Sequence, residues 1–163
     1  MQKLVGNSAT VTKTTKKIMA VASGGGHWVQ LLRIVRELED EFEVCYVTVN
    51  SVYSVDVPGC RFHVVMDATR WSKFALLISA IQIAWIVVRE RPRVIVSTGA
   101  APGYFAIVIG HFFGIRTAWV DSIANIETMS LSGEKAGKYA NLWLTQWPHL
   151  ARAEGPYFMG AVL

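Results

Sequence analysis

Ile18-Met19-Ala20-Val21-Ala22 runs directly into Ser23-Gly24-Gly25-Gly26-His27-Trp28-Val29-Gln30-Leu31-Leu32. Five apolar residues stopping at a glycine turn read as a buried parallel strand. Beyond the turn, Trp28, Leu31, Leu32, Val35 and Leu38 recur at helical spacing, which predicts a helix of about three turns. The helix gives way to the acidic stretch Glu37, Glu39, Asp40, Glu41. A strand that breaks at glycines and restarts as a helix is the opening unit of an open α/β sheet.

The unit recurs along the chain. Val44–Val49 reads as a second strand, and a loop with Pro58-Gly59 leads to a third around Arg61–Val65. Phe74–Val88 is a long apolar segment. Val94–Val96 is a fourth strand, ending in Ser97-Thr98-Gly99-Ala100-Ala101-Pro102-Gly103, and a helix over Tyr104–Phe113 stops at Gly114. Thr117–Val120 is a fifth strand, running into Asp121-Ser122, and Leu142–Thr145 a sixth. Strands alternating with helices at this spacing predict a Rossmann-like α/β fold, a parallel sheet with helices on both faces. Residues 1–17 lack periodicity and read as a flexible basic arm; 18–163 then form a single domain.

Composition narrows the function. The chain has 163 residues, 52% hydrophobic and 17% charged, so disorder throughout is excluded. Two cysteines, Cys45 and Cys60, do not make a disulfide scaffold; they read as small buried hydrophobes, with neither CxxC nor paired metal ligands. Lys3, Lys13, Lys16 and Lys17 concentrate the net charge of +4 in the arm. The rest of the chain balances acids and bases, which disfavours a nucleic-acid partner. Ile18–Ala22 is too short for the apolar core of a secretory signal.

In an open parallel sheet, ligands bind at the carboxyl ends of the strands. Gly24, Gly25 and Gly26 bring backbone and a helix start to that edge, which suits a phosphate or pyrophosphate. A dinucleotide is disfavoured: no third glycine follows Gly26-His27-Trp28-Val29, and the second strand ends in Thr48-Val49-Asn50 without an acid for a ribose. Neither a P-loop nor a G-x-S-x-G elbow occurs. His27 is a candidate general base or phosphate donor, or a histidine that merely bonds its own turn. The loop of Thr98, Gly99 and Gly103 reaches the same edge, as do Asp121, Ser122 and Asn125; Asp121 reads equally as a base or as a helix cap. His63, His111 and His149 have no partners at metal-ligand spacing, and no metal is expected.

Phe74–Val88 as a helix is about 22 Å long, short of a span. Ser72, Ser79, Gln82 and Arg89 leave it only a thin polar stripe. Arg70 and Lys73 before it and Arg89, Arg91 and Arg93 after it suit a helix lying on an anionic membrane, with Trp71, Phe74, Leu77, Ile81 and Trp85 as the inserting residues. A buried crossover helix is the alternative.

Three stretches in order, SGGGHWVQLLR at 23–33, STGAAPG at 97–103 and WVDSIANIETMSLSGEKAGKYANLWLTQWPHLA at 119–151, resemble the acceptor-binding subunit of the two-subunit UDP-N-acetylglucosamine transferase of lipid-linked oligosaccharide synthesis. The resemblance is closer still to its bacterial counterparts in capsule and exopolysaccharide synthesis. The resemblance implies the amino-terminal half of a GT-B glycosyltransferase. It implies a polyprenyl-pyrophosphate-linked acceptor near Gly24, Gly25, Gly26, Thr98, Gly99, Gly103, Ser122 and Asn125, with His27 or Asp121 as base. It implies a small partner subunit carrying the UDP-sugar, no cofactor in this chain, and a peripheral place on the cytoplasmic face of the membrane. Tyr157, Phe158 and Leu163 of the apolar carboxyl end are expected at the partner, or else tucked on their own sheet. The alternatives to a transferase subunit are a non-catalytic module that recruits a partner to the membrane and a self-contained nucleotide-binding enzyme.

Overall fold

The computed structural model describes residues 14–68 and 72–162. Trp71 and Leu163, expected at the membrane and at the partner, lie outside the described residues, as does most of the expected arm. The sheet has seven strands, all parallel: β1 (Thr14–Ala22), β2 (Phe42–Thr48), β3 (Arg61–Val64), β4 (Val94–Gly99), β5 (Arg116–Val120), β6 (Leu142–Thr145) and β7 (Tyr157–Phe158). Their spatial order is β3-β2-β1-β4-β5-β6-β7. The order reverses between β1 and β4, the switch point where such sheets open a crevice.

Alternation along the strands assigns the two faces. Ile18, Ala20, Val44, Tyr46 and Val96 turn to one side and pack on Trp28, Leu31 and Val35 of α1 (Gly26–Val35). Met19, Val21, Cys45, Val47 and Ile95 turn to the other. There they meet Ile83, Ile86 and Val87 of α2 (Lys73–Glu90), Ala106 and Ile107 of α3 (Ala101–Phe112) and Ala136 of α4 (Leu131–Ala136). The Rossmann-like expectation holds, with helices on both faces.

Three boundaries differ from expectation. β1 starts at Thr14, so the arm expected over 1–17 loses its last residues to the sheet. Lys17 is held there by Glu90 at 2.7 Å, an ion pair 73 residues apart in sequence. α3 begins at Ala101 rather than Tyr104, because Pro102 sits well in a helix's first turn. The carboxyl end forms β7 beside β6, a strand too short to show a period in the sequence.

Tyr157 and Phe158 therefore lie on the sheet's edge, 43% and 40% exposed. In α2, Ser79 is fully buried against the sheet, and Gln82 accepts from the Met66 amide at 2.7 Å. Of the expected polar stripe, Ser79 and Gln82 are thus turned inward, and only Ser72 and Arg89 at the ends are exposed. The solvent face is apolar instead, with Phe74, Leu77, Ile81, Trp85 and Val88 exposed. Among the described residues no helix is long and apolar enough to cross a membrane.

Candidate functional site

β1, β4 and β5 end side by side, and their following loops bound a cleft of about 140 Å³. His27, Gly99, Ala100, Ser122, Asn125 and Ser130 line it. The expected residues His27, Gly99, Ser122 and Asn125 thus come together, although nearly a hundred positions separate the first from the last.

His27 is fixed by a reciprocal pair of hydrogen bonds. Its Nδ1–H donates to the Thr98 carbonyl at 2.6 Å, and the Thr98 hydroxyl donates to the His27 carbonyl at 2.6 Å. A carbonyl only accepts, so Nδ1 carries a proton, and in the neutral ring the lone pair is on Nε2. Gly99, at φ +122°, brings its Cα against the imidazole; a β-carbon there would fall 2.7 Å from Nδ1. Gly99 therefore makes room for the histidine.

Of the helices that start at this edge, α1 and α3 have no side-chain cap. α1 begins after Gly25 and α3 after Ala100, and neither cap residue has a side chain that accepts from the first turn. α2 is capped by Ser72 and α4 by Ser130. First-turn N–H groups without caps leave donors and a positive dipole end for an anion.

The glycines divide. Gly25 adopts φ +60° and is strained for any other residue. Its N–H donates to the Tyr53 hydroxyl at 2.8 Å, while a β-carbon on Gly24 would press the same hydroxyl at 3.1 Å and the Tyr53 ring at 3.3 Å. Gly103 differs from expectation: its Cα faces the sheet, where a methyl would collide with Ser97 Oγ. Glycine is needed there to seat α3, and only the amide belongs to the uncapped start.

Asp121 is 2% exposed and fully engaged. It accepts from Trp119 Nε1 at 3.1 Å, Asn125 Nδ2 at 3.0 Å, the Ser130 amide at 2.9 Å and the Ser130 hydroxyl at 2.6 Å. Four donors on two oxygens fill a carboxylate's acceptor sites. Of the two readings open in the sequence, base or cap, neither describes it: Asp121 is the anchor of the 121–130 loop. Asn125, expected at the ligand, spends its amide on this anchor.

Two glutamines escape sequence reasoning. Gln30 Nε2 donates to Ser122 Oγ at 3.2 Å, and its Oε1 accepts from the Ile123 amide and from Gln146 Nε2. Gln146 also donates to the Asp121 carbonyl and accepts from the Val162 amide. Buried amides that bridge segments leave no local signal. A polar residue breaking the apolar face of α1 was the one available sign.

The only grouping of close metal-type ligands among the described residues lies elsewhere. Cys45, His63 and Glu90 bring ligand atoms within 4.8 Å of one another. Lys17 and Arg61 already face Glu90, at 2.7 and 3.6 Å, and His63 Nε2 stands 3.0 Å from it. Burial and the neighbouring Glu90 push the Cys45 thiol up to about 12. A protonated thiol beside two cations fits an ion-paired brace better than a metal.

Comparison with known proteins gives the frame. Residues 48–162 match the sequence model of a family described as "Oligosaccharide biosynthesis protein Alg14 like". The UDP-N-acetylglucosamine transferase subunit alg14 of Schizosaccharomyces pombe is 23% identical, over 91% of this chain and 85% of that protein. The subunit ALG14 of Yarrowia lipolytica is 26% identical, over 83% and 75%. Among solved structures, Acinetobacter baumannii MurG superposes with a TM-score of 0.71 at 12% identity, covering 85% of this chain and 43% of that one. The UDP-GlcNAc 2-epimerase of Methanocaldococcus jannaschii gives 0.64 at 14%, covering 79% and 39%. The chain thus spans less than half of these structures, and at such identity they bear on the fold alone: a Rossmann-like sheet matching a GT-B neighbour. The family match reaches from the end of β2 to the last described residue, and by it the chain belongs to the Alg14-like family of oligosaccharide biosynthesis proteins.

Proposed function

We propose that this chain is the acceptor-binding, membrane-associated subunit of a two-subunit glycosyltransferase that uses a UDP-sugar. The relatives' names supply the reaction class: both are UDP-N-acetylglucosamine transferase subunits. The observation that carries the reading is the cleft, where a tautomer-fixed histidine stands between two uncapped helix starts. The free N–H groups take the pyrophosphate of a polyprenyl-linked acceptor. His27 Nε2 takes the proton of the acceptor hydroxyl as that oxygen attacks the anomeric carbon. The new carbon–oxygen bond forms, the bond to the diphosphate breaks, and UDP leaves. A small partner subunit holds the UDP-sugar, and this chain needs no cofactor of its own. Tyr157, Phe158 and Leu163 are the proposed partner contacts, since β7 leaves the sheet edge half-exposed. Kinship with bacterial capsule and exopolysaccharide subunits belongs to the same proposal.

The exposed face of α2 rests on the cytoplasmic surface of the membrane. Phe74, Leu77, Ile81 and Trp85 are 74%, 58%, 60% and 56% exposed on one side of the helix. Phe112 and Phe113 at the end of α3 are exposed as well. Single exposed apolar residues are ordinary, but a ridge of them marks an interaction surface. Arg89, 5.0 Å above the Trp85 ring, adds a cation beside it.

The decisive experiment assays the assembled pair for transfer to a lipid acceptor. His27→Ala is expected to lower turnover by 10²–10⁴-fold, the range of a lost general base, with pairing intact. Near-normal turnover in that variant favours the alternative, a non-catalytic module that recruits its partner to the membrane.

A further inference from the structure

We propose that the amino-terminal edge of the sheet, opposite the cleft, holds a binding groove for the headgroup of an anionic bilayer phospholipid. The proposal rests on the membrane reading above and adds a discrete site to it. β1, β4 and β5 are adjacent, and each has a cation near its start: Lys16, the third residue of β1, Arg93 just before β4, and Arg116 opening β5. Val94 pairs with Arg116 and with Ile18, and the Arg93 amide donates to the Lys17 carbonyl at 2.8 Å. Neighbouring strands lie about 4.8 Å apart, so three cations stand across roughly 10 Å.

Lys16, Arg93 and Arg116 line an open groove of about 700 Å³. A hollow of about 250 Å³ adjoins it through Pro92 and Ile115, walled by Val87, Val88 and Phe113, with Arg91 at its rim. Arg91 ends α2 in the left-handed region, φ 49° and ψ 54°, where glycine is the ordinary residue. All four cations are exposed, and among the described residues none is in an ion pair. Lys17, one residue from Lys16, is by contrast neutralised by Glu90.

Helix dipoles account for only part of this. α2 and α3 end at this edge, and cations suit helix carboxyl ends. That covers Arg89 and Arg91; Lys16 and Arg116 belong to strands. Polar cations beside an apolar hollow, continuous with the exposed end of α3, match an amphiphile: phosphate on the arginines, acyl chain along Val88 and Phe113. A free phosphate has no use for the apolar wall.

The test uses the full chain and two vesicle compositions, phosphatidylcholine alone and phosphatidylcholine with phosphatidylglycerol. A basic residue at an anionic surface contributes about fivefold in partitioning, so Arg93→Gln/Arg116→Gln is expected to weaken binding to the anionic vesicles about 25-fold. It leaves binding to phosphatidylcholine unchanged. The control Arg33→Gln/Arg36→Gln, on the α1 face of the sheet, stays near wild type. Equal losses in the two pairs, or no loss in the first, overturn the groove. Vesicle binding that survives the groove pair but is lost in Trp85→Glu leaves the membrane reading standing and the groove refuted. Failure of the unaltered chain to bind either vesicle refutes both. Release from the vesicles by glycerol phosphate at matching concentration makes the groove a site for a soluble phosphate and overturns the lipid assignment.

Discussion

His27 and Asp121 share one sheet edge but not one environment. His27 spends one nitrogen on the Thr98 carbonyl and keeps the other. Asp121 spends both oxygens inside the chain, on Trp119, Asn125 and Ser130. Replacing the acid by an amide puts an N–H₂ among groups that themselves donate. Asp121→Asn should therefore cost about 2–4 kcal/mol, because buried donors lose a charged acceptor. Urea unfolding measures it; a wild-type midpoint combined with lost transfer would instead put Asp121 in the chemistry. Both residues stand out in the sequence because each follows a strand at the ligand edge. The difference between them does not, since the donors on Asp121 come from residues 119, 125 and 130, whose convergence is tertiary.

At the scale of an element, α3 shows how a glycine pattern can be misread. Gly103 and Gly110 lie seven residues apart, two turns on one face. A β-carbon at Gly110 would stand 2.7 Å from Ile95 Cδ1 and 2.9 Å from Thr117 Cγ2. Together the two glycines let the helix axis approach β4 and β5. Gly103→Ala is expected to destabilise by about 1–3 kcal/mol, the usual cost of overpacking. Ser97→Ala in the same chain should return part of that loss by removing the colliding oxygen; thermal melts of the single and double variants test it. No return would mean that the backbone, not Ser97, sets the limit.

The strands β1, β2, β4, β5 and β6 were legible because buried parallel strands are short apolar runs with glycine or polar ends, and β3 was legible after the Pro58-Gly59 loop. β7 and α4 were not, at two and six residues; tertiary pairing, not local pattern, makes them. The outward ridge of α2 was legible as apolar, but its inward Ser79 was not, since a nearly uniform helix carries little information about which side faces the sheet.

Across the whole molecule, Glu90 ties three elements together. It closes α2, and its carboxylate accepts from Lys17 of β1 and His63 of β3, with Arg61 3.6 Å away. Burial opposes the charge, but these hydrogen bonds and cations outweigh it and hold the carboxyl below the ordinary carboxylate range. A folded value below the unfolded one lends stability above about pH 4.3 and withdraws it as pH falls through the folded value. Glu90→Gln should cost about 2 kcal/mol at neutral pH, less than a fully buried pair because Arg61 stands half in water. The gap from wild type should close in acid; urea midpoints from pH 7 downward follow it, and a gap independent of pH would assign the loss to packing.

The strand order β3-β2-β1-β4-β5-β6-β7 also dictates how the chain must be born. A ribosome delivers β1, β2 and β3 first, and they pair at once on one side. The other flank of β1 stays bare until residues 94–99 emerge, with all of α2 synthesised in between. An uncovered strand flank beside an apolar helix invites pairing with a neighbouring nascent chain. The half-made polypeptide is therefore most open to such pairing just before β4 arrives.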